Sequence, residues 1–301
     1  MNSQDKEIYN LIRDGGIGFY EQKRGLIEVS GKEAVQFLNG LITNDVAKLE
    51  DNSQMSAAFP NAQGRLLAVV RVMRRGDKFL FETEAATHEK VFQNLFRFTF
   101  AGDFFVEDLS GDFDFFSISD FKSQISNLVE FQSRFGSDVF VPKYAAEEFL
   151  KELETKNAAR ISDELYEVLR VEQGIPLYGV DIDETTIVPE TGLEEIISYN
   201  KGCYIGQEII ARIHFRGHIA KQLTGLILSG DSRESRIESR ELKSSDEKNA
   251  GKITSVTFSP KLEKQIALAF VRYDYLAEGT VLKVGELTAK VKNLPFIEQM
   301  R

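Results

Sequence analysis

Three things are scarce in this chain, and each scarcity excludes something. It has one cysteine in 301 residues, so no internal disulfide can form and a reducing compartment is expected. No apolar run approaches the roughly 20 residues that a bilayer-spanning helix needs. The segment from Met1 to Asp14 is polar and charged rather than a basic stretch followed by an apolar core, so it does not read as a secretory signal. A cytoplasmic protein with no membrane contact is expected. Positive charge is also short: 37 Lys and Arg against 47 Asp and Glu leave a net charge of −10, which argues against broad attraction to nucleic acid or anionic lipid.

What the chain does contain is enough apolar surface to fold. Hydrophobic residues at 42% and charged residues at 28% describe a globular protein, and the length predicts two or three structural units. Ser30 and Glu33 have capping-box spacing, and Ala34, Phe37, Leu38 and Leu41 follow at helical intervals, predicting a short helix over 32–41. Leu66 to Val72 and Lys78 to Glu82, joined by Arg74-Arg75-Gly76-Asp77, read as a β-hairpin. Val91, Phe92, Leu95, Phe96 and Phe98 predict a helix between Thr87 and Phe98, with strands over 104–106 and 113–118. The 23 phenylalanines are read as core, not as a base-stacking platform. Strong helix formers fill 145–156, and Ser162 caps a helix over 163–173 that Gly174-Ile175-Pro176 stops.

The C-terminal third changes character. Apolar runs at 223–228, 252–258, 265–271, 280–284 and 287–291 predict a small antiparallel barrel. Residues 231–249, rich in serine and charge, read as a mobile surface loop. Asp181, Asp183 and Glu184 place three carboxylates in four residues, which suits either a cation or a solvated acidic loop, and the glycine and distal glutamate of a calcium loop are missing.

The most specific feature is Lys201-Gly202-Cys203-Tyr204-Ile205-Gly206-Gln207-Glu208. It sets the only cysteine between glycines and beside a lysine, where an ammonium and an open helix start would both stabilise a thiolate. The alternative is a small buried apolar side chain. This octapeptide resembles the K-G-C-Y-x-G-Q-E signature of the YgfZ family, part of a wider folate-binding group that includes the aminomethyltransferase (T-protein) of glycine cleavage. The run from Ser30 to Val46 is similar to the group's opening helix and loop. Arg170 to Asp181 is similar to its middle, and Gly251 to Ser255 with Ser259-Pro260 to its C-terminal domain.

The resemblance implies an α+β fold arranged as a three-part ring around a central folate channel, with a C-terminal antiparallel β-barrel. Residues 1–220 would form the folate-binding region from two intertwined α+β subdomains, and residues 221–301 the barrel. It implies tetrahydrofolate, or a folate derivative, as cofactor. Adjacent N–H donors on the pterin call for a buried carboxylate acceptor, for which Glu190 and Glu172 are carried over. Tyr178 would pack against the ligand or belong to ordinary core. Asn44 and Asp45 would face the channel or simply close a turn. Arg212, with Arg216, would meet the folate glutamate tail or stay solvated on the surface. Cys203 and Lys201 would carry the chemistry.

In the aminomethyltransferase branch the hairpin carries an aspartate that assists one-carbon transfer. Here the matching run is Gly64-Arg65-Leu66-Leu67-Ala68-Val69, and neither Ala68 nor Val69 handles a proton. The departure favours the YgfZ-like branch, whose members support assembly or repair of iron–sulfur clusters in particular enzymes, tRNA-modifying ones among them. Such client enzymes are the expected partners of a protein expected to act as a monomer. A folate-dependent aminomethyltransferase, with Asp45 as a substitute base, and a non-catalytic folate-binding scaffold are the alternatives. A metal site built on Cys203, His214 and His218 is a further rival, although Gly217 makes a continuous helix through both histidines doubtful, and no metal is expected.

Overall fold

The computed structural model describes residues 1–119, 121–229 and 240–298. Helix α1 (Ser3–Arg13) is capped reciprocally by Asn2 and Asp5. Strands β1 (Gly18–Gln22) and β2 (Arg24–Ser30) follow, then α2 (Ala34–Leu41), β3 (Gln54–Pro60), β4 (Leu66–Arg75), β5 (Lys78–Glu84), α3 (His88–Phe96) and β6 (Phe105–Asp108). Next come β7 (Phe113–Ile118), β8 (Val129–Gln132), β9 (Ser137–Pro142), α4 (Ala146–Thr155), β10 (Ala159–Arg160), α5 (Asp163–Glu172) and α6 (Gln207–Arg216). The last part holds β11 (Lys221–Leu228), β12 (Glu241–Lys243), β13 (Asn249–Ser259), β14 (Lys264–Arg272), β15 (Val281–Val284) and β16 (Leu287–Lys292).

These strands form two five-stranded sheets, ordered β3-β4-β5-β2-β6 and β10-β1-β7-β9-β8, and a closed barrel ordered β11-β14-β13-β12-β15-β16. The predicted hairpin is β4–β5, with Gly76 at φ +61° in its turn, a backbone region that glycine enters without steric cost. Helices α2 and α3 bury Leu38, Leu41, Val91 and Leu95 against Ile27, Val29, Phe79 and Phe81 of the first sheet. Helix α4 buries Phe149 and Leu153 against Phe116, Ile118, Val139 and Val141 of the second. A separate cluster joins the sheets: Leu26, Met73 and Leu80 from one meet Phe115, Val129, Phe131 and Phe140 from the other. Phe115 and Phe140 sit edge to face at 4.8 Å, so the phenylalanines between the sheets are core, whereas Phe96, Phe100, Phe105 and Phe215 are exposed and depart from that expectation.

Two local expectations are corrected. Ser30 and Glu33 do not form a capping box: α2 starts without a side-chain cap, and the Glu33 carboxylate instead accepts from the Asp103 backbone N–H at 2.7 Å. The reason is Gly31, at φ +111°, where an added Cβ would lie 2.2 Å from the Asp103 carbonyl oxygen. The close approach of that loop claims the glutamate. Of the expected loop over 231–249, the part at 231–239 lies outside the described residues; beyond it, β12 pairs with β13 and β15 and completes the barrel. With only Leu242 buried in three residues, β12 offers no periodic signal to read.

Strand β14 is buried on both faces. Ala267, Ala269 and Val271 fill the barrel, while Ile266, Leu268 and Phe270 point outward onto Leu66, Ile196 and Ile210. Two buried polar ties fasten the barrel to α5. Arg170 pairs with Asp181 at 2.9 Å and donates to Ser255 Oγ at 2.8 Å. Glu172 accepts from Tyr9 at 2.9 Å, Arg13 and Ser259.

Candidate functional site

Between the two sheets lies a cavity of about 340 Å³. Strands β4 and β5 contribute Val69, Val70, Arg71, Glu82 and Glu84, and the opposite sheet contributes Ser117 and Asp138. Arg134, Phe135, Tyr166, Ile175, Leu177, Ile182 and Leu193 close it from connecting segments and α5. The wall is mostly apolar, with one organised ionic array. Arg24 and Arg71 both bind Glu82, Arg71 through Nε at 2.8 Å, and Arg71 Nη2 also reaches Asp138 Oδ2 at 2.7 Å. Burial alone would raise the Glu82 carboxyl, but the two guanidiniums outweigh it and hold it below its ordinary value. Glu84 is different: burial raises it, and the more distant Arg24 and one backbone N–H from Tyr178 at 3.1 Å do not compensate. Asp138, 7% exposed, has its Oδ1 atom buried with no hydrogen-bond partner.

The cysteine motif is clamped in place. Lys201 Nζ donates to the carbonyls of Ile42 at 2.8 Å and Asn44 at 2.7 Å. Burial pulls the ammonium down to about 8, with Asp45 acting in the opposite direction. Ile205 N–H donates to Gly40 O at 3.1 Å. Gly206 begins α6 at φ +80°, where a Cβ would stand 2.4 Å from the Asn61 carbonyl oxygen. Cys203 is left exposed on this pinned loop. Lys201 therefore anchors the loop through backbone carbonyls; its hydrogen bonds do not go to the thiol. Asn44 connects motif to cavity, because its side chain donates to Ser56 O at 2.8 Å and Glu195 O at 2.9 Å, both residues of the cavity wall.

The other carried-over residues are scattered. Asp45 accepts from Ala47 N–H at 3.2 Å and Asn39 Nδ2 at 3.1 Å, the turn-closing role. Tyr178 is not part of the cavity wall; its backbone N–H donates to Glu84, which is, and its ring lies 5.2 Å from Lys90 Nζ. Glu190 is buried in the turn Val188–Thr191, accepts from Ile187 N–H at 3.2 Å and is raised by burial; it is not part of the cavity wall. Glu172 sits at the α1–α5–barrel junction with both oxygens occupied. Arg212 is exposed on α6. The sequence reading missed Arg24, Arg71, Glu82, Glu84 and Asp138, because only strand pairing and sheet packing bring them together.

The acidic triplet is dispersed as well. Asp181 is consumed by Arg170, Thr254 and Ser255, and Asp183 accepts from Thr185. Helix α6 ends at Arg216, His214 stacks on Tyr199 at 3.7 Å, and His218 packs on Tyr273 at 4.3 Å. Among the described residues, no group of three or more His, Cys, Asp or Glu is placed to hold a metal ion, and no helix is long and apolar enough to cross a membrane.

A two-sheet α+β ring around a partly polar cavity, closed by a six-stranded barrel, defines a T-protein-like architecture. The crystal structure of glycine cleavage system aminomethyltransferase T from Bartonella henselae superposes with a TM-score of 0.84 at 19% identity, over 94% of this chain and 87% of that one. Residues 221–297 match the glycine cleavage T-protein C-terminal barrel domain. An aminomethyltransferase from Thermotoga maritima is 31% identical over 277 residues, covering 81% of this chain and 74% of that protein. An iron-sulfur cluster assembly factor IBA57 homolog, mitochondrial, from Mycosarcoma maydis is 28% identical over 224 residues. That match covers 67% of this chain and only 55% of the relative's length. The chain belongs to the aminomethyltransferase (glycine cleavage T-protein) superfamily.

Proposed function

We propose that this protein binds tetrahydrofolate in the inter-sheet cavity and supports assembly or repair of iron–sulfur clusters in specific enzymes, tRNA-modifying ones among them, with Cys203 as its reactive thiol. The reading rests above all on the exposed Cys203, held on a loop that Lys201 ties to Asn44 and, through it, to the cavity wall. The cavity suits a flat, partly polar ligand: apolar side chains such as Val69 and Leu177 offer faces, and Glu84 and Asp138 offer acceptors. When bound, tetrahydrofolate supplies a carrier for one-carbon units. The relatives named as iron–sulfur assembly factors support the same branch.

The aminomethyltransferase reading has the support of the relatives that carry that name. Against it, Ala68 is fully buried and Val69 presents an apolar side chain to the cavity, so this stretch of β4 offers no proton-handling group. A non-catalytic scaffold would make Cys203 dispensable. Complementation of a strain lacking the protein separates the readings. Cys203→Ser is expected to bring cluster-enzyme activity to background while tetrahydrofolate affinity stays within about twofold. Full activity with the serine variant would rule the thiol out. Tetrahydrofolate-dependent ammonia release from an aminomethylated lipoyl carrier would restore the transferase reading.

A further inference from the structure

We infer that Asp138, on β9, is the carboxylate that receives the N–H donor edge of the pteridine, in place of either carried-over glutamate. The inference rests on the folate reading of the same cavity. Its starting point is the uneven satisfaction of polar groups along the wall. Glu82 is neutralised from both sides by Arg24 and Arg71. Asp138 has one oxygen on Arg71, while the other is buried in the wall without a donor. A buried acceptor left in this state is costly, and a ligand N–H placed against it relieves that cost.

The acceptor is also held ready. The backbone of Asp138 is fixed between β7 and β8, opposite Ser117 and Phe131, and Arg71 of the facing sheet holds the side chain from across the cavity. No such oxygen exists on Glu172, whose partners are all internal, and Glu190 is not on the wall. The chemistry that fits is a flat heterocycle with a ring N–H beside an exocyclic amino group, as in a 2-amino-4-oxopteridine.

Isothermal titration of the full chain with tetrahydrofolate and with its 2-desamino analogue tests the assignment. The unmodified protein is expected to prefer tetrahydrofolate by about 10- to 100-fold, the range of a hydrogen bond to a charged acceptor. In Asp138→Asn, Arg71 keeps the amide oxygen on its own side and turns the NH₂ toward the ligand, donor against donor. The preference is then expected to fall below about threefold. Glu190→Gln is expected to keep it. A purely structural role for Asp138 would weaken both ligands equally and leave the ratio intact, which would overturn the assignment. So would equal binding of both ligands by the unmodified chain, a result that stands even if Asp138→Asn fails to fold. Absence of any tetrahydrofolate binding would instead remove the folate reading, and this assignment with it.

Discussion

Glu172 shows how a residue's neighbours across the chain decide its role. It has every feature of a site carboxylate in the sequence: it lies in a helix-terminal run beside Gly174 and Pro176 and within a stretch similar to the family's middle segment. In the fold it is fully buried and its oxygens are taken by Tyr9, Arg13 and Ser259. Removing one member of such a buried ion pair strands the other, so Glu172→Ala is expected to cost about 3–5 kcal/mol in urea denaturation. Glu172→Gln is expected to leave tetrahydrofolate affinity unchanged in the protein that still folds. Asp138 is the converse case. It lies in Phe135-Gly136-Ser137-Asp138, where nothing local marks it, and becomes conspicuous only when Arg71 of the other sheet faces it. Short-range spacing identified the cysteine loop because that motif is contiguous; it could not identify an ionic array assembled from four strands.

Elements with their own punctuation were legible. The β4–β5 hairpin announces itself through Gly76-Asp77, and α5 through Ser162, whose Oγ accepts from Leu165 N–H at 3.1 Å. Where tertiary contact overrode local preference, as at Ser30 and Glu33, the pattern misled. The helix start at Gly206 combines both influences, since its positive φ and the adjoining Asn61 carbonyl leave no room for a side chain. Gly206→Ala is expected to destabilise the protein by about 1–3 kcal/mol and to loosen the cysteine loop, visible as faster amide exchange over 201–206. The loop also has a pH signature. Lys201 titrates at about 8 in the fold against an ordinary 10.5, so between these values the unfolded chain holds a proton that the folded chain does not. Stability therefore rises with pH across that window, and the increment is lost as pH falls back through about 8. Lys201→Met is expected to abolish this rise in denaturation curves recorded at several pH values.

For the whole molecule, the barrel was readable from its evenly spaced apolar runs, but the ring only because several separate motifs resemble one family; composition alone reached no further than a globular chain of two or three units. The barrel strands begin at Lys221, yet the barrel is bound to the rest by Arg170–Ser255, Glu172–Ser259 and the shared apolar cluster of Leu66, Ile210, Leu223, Ile266 and Leu268. The full chain is expected to melt in one calorimetric transition. A 1–220 fragment, deprived of these partners, is expected to bind a hydrophobic dye and lose its cooperative transition. The two sheets are tied by their threading as well. Strand β1 belongs to the second sheet, the chain then crosses to build the first, and it returns at β7, while β10 pairs with β1 in parallel. During synthesis on the ribosome, residues 18–22 therefore emerge long before their partners at 113–118 and 159–160. Distant pairings of this kind slow folding and leave sticky surface open, so in a nascent chain of this protein the first strand stays without its native neighbours until most of the first 160 residues have been made.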